Sequence, residues 1–382
     1  MDRHHVLSGA DRISRVEEQL EGKRIGLMTN QTGVNHELKS TIDLLHESCN
    51  LTALFAVEHG IRGDAQAGAD IGETVDEGTG IRVYSTYGGN RSFSGEMLDA
   101  FDVLVFDIQD VGARFYTYLY SLSSAMQACS LAGKQMIVLD RINPLGGVHT
   151  GGTLLDMEFA SFVGNFELPT QYGLTIGEYA GYVREYLHLD LDLTVVPLEG
   201  WERWMRLDDT DLPWVSTSPN CPNLETALCY IGMCIFEGTN ISEGRGTTIP
   251  FQIAGAPFIH SGELECAMAE VETPGIRFRR TSFVPTFSKY AGETCHGVQM
   301  HIMDREKADV FAGGLLLLDR ICRLYPNAFQ WIRPGSDGKY MFDKLLGTDA
   351  YRTGKIQADE LICTSRPKVR AFEEKAFRFH LY

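Results

Sequence analysis

No stretch of this 382-residue chain approaches the roughly 20 consecutive apolar residues of a membrane span. Its leucine run at 315–318 stops at Asp319-Arg320. The opening residues, Met1-Asp2-Arg3-His4-His5, hold no apolar signal core. That predicts a cytoplasmic protein, or a periplasmic or secreted one whose signal has been removed. The nine cysteines are odd in number and contain no C-x-x-C. Reduced, mostly buried thiols are expected, not a disulfide framework or a cysteine-held zinc. Positive charge is scarce: 34 Lys and Arg against 51 Asp and Glu leave a net charge of −17. Such a chain repels polyanions, which argues against nucleic acid and anionic membranes as partners. Any anionic ligand needs a local group of arginines.

Several catalytic signatures are also missing. There is no G-x-G-x-x-G after a strand, no Walker A, no H-E-x-x-H, no EF-hand loop and no G-x-S-x-G. Dinucleotide redox chemistry, phosphate-cradle hydrolysis of nucleotides, metalloprotease and serine-hydrolase chemistry all lose support. His36, His46, His188, His260, His296 and His301 show no ligand spacing and read as structural or surface residues. No cofactor and no metal is expected. What remains is chemistry by carboxylates, amides and guanidinium groups.

Enough apolar residues are present, at 44%, to bury large cores. Apolar runs at 24–30, 51–57, 102–107 and 135–140 read as buried strands, with helices at 40–47 and 117–131 between them. Another strand is expected at 192–197. The alternation predicts an α/β fold: a mostly parallel sheet flanked by helices. Past about residue 255 the strands shorten, at 276–278 and 297–303, and a helix runs from 308 to 324. A catalytic domain over 1–250 and a smaller C-terminal α/β (α+β) domain over 251–382, completing the cleft, are expected.

Ligands of such sheets bind beyond the carboxyl ends of the strands. Each run here ends in polar residues: Asn30; Glu58-His59; Asp107 and Asp110; Asp140-Arg141 and Asn143. Glu58 sits after Phe55-Ala56-Val57 and before Gly60, where apolar neighbours suit a general acid or base. A helix-capping Glu paired with Arg62 is the equal alternative. Asp107 and Asp110 suit sugar hydroxyls or an activated water. Arg114 suits a carboxylate, and Tyr116 and Tyr118 suit either a sugar face or the core. Asn143, before Pro144, presents its amide or simply builds a turn. Asn220, Glu237, Asn240, Glu243 and Arg245 lie on Gly- and Pro-punctuated loops that suit a far wall. Glu243 is the candidate second carboxylate, with a solvated loop Glu as the alternative.

Together these segments carry a resemblance. They run from Gly26-Leu27-Met28-Thr29-Asn30-Gln31-Thr32-Gly33 through Glu58-His59-Gly60-Ile61-Arg62-Gly63 to Val105–Tyr118. Asp140-Arg141-Ile142-Asn143-Pro144, Ser218-Pro219-Asn220, Phe236–Thr247, Pro285–Lys289 and Gly347-Thr348-Asp349 follow in order. The chain resembles the exo-β-N-acetylmuramidases, the NamZ family of glycoside hydrolases, over nearly its whole length. The resemblance implies that the sheet is Rossmann-like. It implies release of N-acetylmuramic acid from the non-reducing ends of peptidoglycan fragments, in cell-wall turnover or recycling. It implies that Glu58 is the catalytic glutamate. Val57, Ile142 and Asn223 depart from the family's Pro, Pro and Thr; none removes a chemical group. A glycosidic bond broken through an oxocarbenium-like state needs an acid on the leaving oxygen and a second group opposite; Glu243, Asp107 and Asp110 are candidates for the second. Muramic acid carries a lactyl carboxylate, for which Arg62, Arg114, Arg141 and Arg245 are candidates. The rival readings are a non-catalytic muropeptide or sugar binder using the same cleft, and a nucleotide-dependent enzyme disfavoured by the missing glycine fingerprint.

Overall fold

The computed structural model describes residues 3–58, 60–62, 74–86 and 93–382. Its strands, in chain order, are β1 (Ile25–Thr29), β2 (Leu51–Ala56), β3 (Thr74–Val75), β4 (Arg82–Ser85), β5 (Val103–Asp107), β6 (Gln135–Leu139), β7 (Gly151–Leu154), β8 (Pro169–Gln171), β9 (Leu193–Val196), β10 (Ile253–Ala256), β11 (Ile276–Phe283) and β12 (Cys295–Ile302). The main sheet has seven strands in the order β3-β4-β2-β1-β5-β6-β9. All its pairings are parallel except the antiparallel β3–β4 edge. The expected α/β architecture is therefore present. A three-stranded antiparallel sheet, β10-β12-β11, and a β7-β8 pair complete the strands of the described residues.

The apolar runs are continuous because both faces of the sheet are covered. Leu27, Leu54, Val105, Ile137 and Leu139 face a core shared with Ile42 and Leu45 of the helix Thr41–Ser48 and with Ala10, Val16 and Leu20. Met28, Phe55, Phe106 and Val138 point the other way, into the helix Tyr118–Ala132. That second core continues without a break through Ile231, Leu315 and Phe342. The C-terminal elements thus pack on the same apolar mass as the sheet. Where the helices Leu224–Met233 and Val310–Leu324 meet, a Cβ on Gly232 would lie 2.0 Å from the Val310 carbonyl oxygen, and one on Gly314 2.0 Å from the Gly232 oxygen. Only glycine permits that approach.

Local signals act as expected. Ser40 Oγ accepts from Ile42 N (3.1 Å) and caps its helix. Asn223 accepts from Thr226 N (2.9 Å), so the departure from Thr keeps an N-cap. The strands expected at 276–278 and 297–303 are parts of longer ones, β11 and β12. Antiparallel pairing with β12 carries β11 on to Phe283, while central β12 starts at Cys295 and ends at Ile302.

Reading along the sheet, chain order reverses at β1, which pairs with β2 on one side and β5 on the other. That is the switch point beyond which open α/β sheets bind ligands. The edge there is held by charge. Asp107, fully buried at the end of β5, accepts from Arg141 Nε (2.5 Å) and Nη2 (2.8 Å), and from Thr41 Oγ1 at the start of the first sheet helix. Arg141 Nη2 also donates to the Val34 carbonyl (2.8 Å). Removing one partner strands a buried charge, so Asp107→Ala should lower unfolding stability by about 3–5 kcal/mol. Urea titration followed by far-UV dichroism measures this, and an unchanged midpoint would contradict it.

Candidate active site

Glu58 stands two residues beyond β2, half-buried, and its Oε2 accepts from Thr117 Oγ1 (2.6 Å). Thr117 also lines a cavity of about 460 Å³. One wall is the polar face of the helix Tyr118–Ala132, with Ser121, Ser124 and Gln127; another is the loop residues Ser161, Phe162 and Asn165; Thr86 closes the side past β4. Glu58 is thus one hydrogen bond from a hydroxyl- and amide-lined hollow of monosaccharide size. His59 lies outside the described residues.

Next to Glu58 is the switch-point cluster. Burial, then the charge of Glu58, push the Tyr118 phenol well above its usual value; the Asp110 charge adds to this and a hydrogen bond from Asn30 opposes it. Asn30, at the end of β1, hydrogen-bonds the same phenol through its side chain; its Oδ1 accepts from Thr32 N (2.9 Å) and Thr32 Oγ1 (2.6 Å). Asp110 Oδ2 accepts from Gly112 N (2.7 Å) and from the Tyr172 phenol; its buried Oδ1 has no partner. Burial outweighs those two bonds and raises the Asp110 carboxyl to about 7. Asp110 thus keeps a buried oxygen with no hydrogen-bond partner in the neighbourhood of Glu58, Asn30 and Tyr118.

Tyr116 and Tyr118 do not present their faces to a cleft. Both are buried; Tyr116 donates to Thr217 Oγ1 (2.7 Å) and Tyr118 to the Thr217 carbonyl (2.5 Å). With Gln31, which donates to the Ser216 carbonyl (2.8 Å), they pin the loop that carries the buried Asn220.

Several expected ligand residues serve the scaffold instead. Arg114 is completely buried and donates to the carbonyls of Thr153 (2.8 Å), Leu168 (3.1 Å) and Leu345 (2.7 Å), so it joins the β7-β8 pair to the C-terminal part. Burial pulls its guanidinium down to about 10. Asp107 and Arg141 neutralise each other in the sheet edge. Asp140 takes Gly177 N (2.7 Å), Thr175 Oγ1 (2.9 Å) and the Tyr382 phenol (2.6 Å), tying down the next helix and the last residue. Asn143 bonds the Leu174 carbonyl (3.0 Å) and Leu145 N (3.1 Å). Asn240 joins the Ala328 carbonyl and Gln330 N, both at 2.9 Å.

Glu237, Glu243 and Arg245 form a second cluster. Arg245 donates to Glu237 Oε1 from Nε (2.9 Å) and Nη2 (2.5 Å), and its Nε lies 3.5 Å from Glu243 Oε1. Burial opposes the Arg245 charge, but the two carboxylates outweigh it and raise its pKa. Lys289 donates to Glu243 Oε2 (2.8 Å) and to the carbonyls of Phe236 and Ile241, both at 2.9 Å. Glu243 is 2% exposed, not a solvated loop residue. Lys289, Thr117 and Tyr172 were not singled out from sequence. A lysine in a Ser-Lys loop and a threonine before a helix carry no spacing signal.

Family models for the exo-β-N-acetylmuramidase NamZ match the chain over residues 25–225 (N-terminal) and 228–382 (C-terminal). The chain belongs to the NamZ exo-β-N-acetylmuramidase family. It is 50% identical over 371 residues to the peptidoglycan β-N-acetylmuramidase NamZ of Bacillus subtilis (strain 168), spanning 96% of this chain and 88% of that one. Two crystal structures of DUF1343 family proteins from Bacteroides fragilis superpose on it. One has a TM-score of 0.91 at 35% identity, with both chains fully covered. The other has a TM-score of 0.77 at 31% identity, with 99% of each chain covered. Among the described residues no helix is long and apolar enough to cross a membrane.

The raised carboxyl at 110 gives a pH signature. An unfolded Asp ionises near pH 4, the folded one near 7. Between those values the folded state holds the extra proton, so this group's contribution declines as pH rises and is constant above about 7. Asp110→Asn should therefore gain on the wild type between pH 4.5 and 6.5, by at most about 1.4 kcal/mol per pH unit. Unfolding midpoints of both proteins at three pH values across that range decide it; parallel curves would refute it.

Proposed function

We propose that this NamZ-family glycosidase removes N-acetylmuramic acid from the non-reducing ends of peptidoglycan fragments of the MurNAc-GlcNAc type, with Glu58 as general acid. The observation that carries this reading is the position of Glu58: at a strand end, held by Thr117, against a sugar-sized hollow lined by hydroxyl and amide groups. Thr117 fixes one carboxyl oxygen of Glu58 at the rim of that hollow. The hollow's hydroxyl and amide lining matches the hydrogen-bonding surface of a hexosamine, and Phe162 offers it an apolar face.

Of the three candidates for the assisting carboxylate, Asp107 is consumed by Arg141 and Glu243 by Arg245 and Lys289. Asp110 keeps one oxygen unengaged beside the ring that Glu58 also approaches. We assign it the second role. Among the four arginine candidates for the lactyl carboxylate, Arg114, Arg141 and Arg245 are enclosed by internal partners. Arg62 pairs with Asp76 (2.7 Å) and keeps half its side chain in solvent, so it is the assigned carboxylate ligand.

Glu58→Gln should reduce turnover of a chromogenic N-acetylmuramide by about 10²–10⁴-fold while leaving the unfolding midpoint in place. Activity near wild type would remove Glu58 from the mechanism. Arg62→Ala should act mainly on KM, raising it about tenfold or more, and should not affect a substrate analogue that lacks the lactyl group. An equal loss on both substrates would exclude Arg62 as the carboxylate ligand. Product analysis on a muramic acid–glucosamine disaccharide separates hydrolysis from mere binding.

A further inference from the structure

Residues 5, 36 and 211 are far apart in sequence and meet beside the loop that leaves β1. His5 Nδ1 lies 2.7 Å from Asp211 Oδ2, and His36 Nε2 lies 3.1 Å from the same oxygen. The two imidazole rings are 5.2 Å apart, edge to face. All three ligand atoms fall within 4.8 Å of one another.

Each side chain is held by backbone structure. His4 bridges Thr210, with His4 N donating to the Asp209 carbonyl and Asp211 N to the His4 carbonyl, both at 2.9 Å. This sets His5 against Asp211. The other Asp211 oxygen, Oδ1, accepts from Val6 N (3.0 Å), which turns Oδ2 toward the rings. His36 N donates to Asp11 Oδ1 (2.6 Å), fixing the turn that delivers its ring.

His36 Nε2 is shielded from solvent, and both rings converge on the single oxygen Oδ2, the arrangement of a ligand set around one centre. We propose that His5, His36 and Asp211 form a site for one divalent transition-metal ion of the zinc class. Bonds of about 2.0–2.2 Å in tetrahedral array place neighbouring ligand atoms ~3.3 Å apart, close to the 2.7 and 3.1 Å separations present. Two imidazoles and one carboxylate favour zinc, nickel or copper over calcium or magnesium. His5 is two-thirds exposed, which leaves the remaining coordination positions to water. The ion would clip three separate segments, the strand-like N-terminus, the β1 exit loop and the turn at 207–211, against one another.

The test uses the full chain stripped with chelator and titrated with zinc by calorimetry. One ion per chain is expected, with a rise in Tm, and cobalt(II) should give visible ligand-field bands. His5→Ala, at an exposed position, and His36→Ala should each weaken uptake by roughly tenfold or more and abolish the cobalt bands. His4→Ala, whose ring packs on Trp204, should change neither. Absence of stoichiometric uptake, or uptake retained in either His5→Ala or His36→Ala, would overturn the site and leave a carboxylate–imidazole contact only.

Discussion

Everything at the carboxyl edge of the sheet rests on carboxylates that have been taken out of water. Asp107 ends β5 with no exposure and is balanced by Arg141, which follows β6, and by the hydroxyl of Thr41 at the helix that follows β1. Three consecutive units of the fold thus converge on one anion. Asp140, one strand further, does the same for the helix Ile176–Tyr186 and for Tyr382. A buried charge is costly unless fully bonded, so these contacts restrict how the strand ends can move. Glu58 and Asp110 hang from the same edge, and the rigidity of that edge carries over to them.

The scarcity of positive charge is sharper inside the molecule than the net −17 implies. Arg114, Arg141 and Arg245 all point inward, to carbonyls, to Asp107 and to Glu237 with Glu243. Lys289 is likewise saturated by one carboxylate and two carbonyls. An arginine in a dense motif reads equally well as a ligand for a substrate anion or as a clamp for loops. The two uses differ only in whether the guanidinium finds enough internal acceptors, and that depends on residues such as Thr153 and Leu345, far from Arg114 in the chain.

This explains what the sequence does and does not reveal. Strand positions, helix caps and the parallel sheet follow from local physics: apolar runs near Leu27, Phe55 and Phe106, a serine at 40, and a glycine at 133 whose φ of +62° ends its helix. The family follows from long ordered motifs. The division of labour within those motifs does not. Asn143 and Asn240 look like substrate amides and instead close turns and join loops, because their partners are backbone groups that no side-chain pattern encodes. Thr117, which holds Glu58, and the loop around Phe162 are invisible for the opposite reason: they carry no unusual residue type, only position. The same holds for His5, His36 and Asp211, whose spacing of tens to hundreds of residues has no local signature.

The remaining asymmetry lies between the two carboxylates left at the switch point. Asp110 sits among Tyr118, Tyr120 and Tyr172 with an unpaired oxygen, and burial alone raises its carboxyl to about 7. Glu58 is half-buried at the margin of an open hollow and is hydrogen-bonded through Thr117. The two carboxyl groups thus stand in different surroundings, one enclosed and one at the margin of the hollow. Sugar binding would displace water from the hollow and alter the solvation of Glu58 far more than that of Asp110, which is already dry. The occupied site therefore brings the two environments closer together than the empty one does. On the proposed reading, substrate changes the surroundings of Glu58 at the margin of the hollow, while Asp110 is already enclosed.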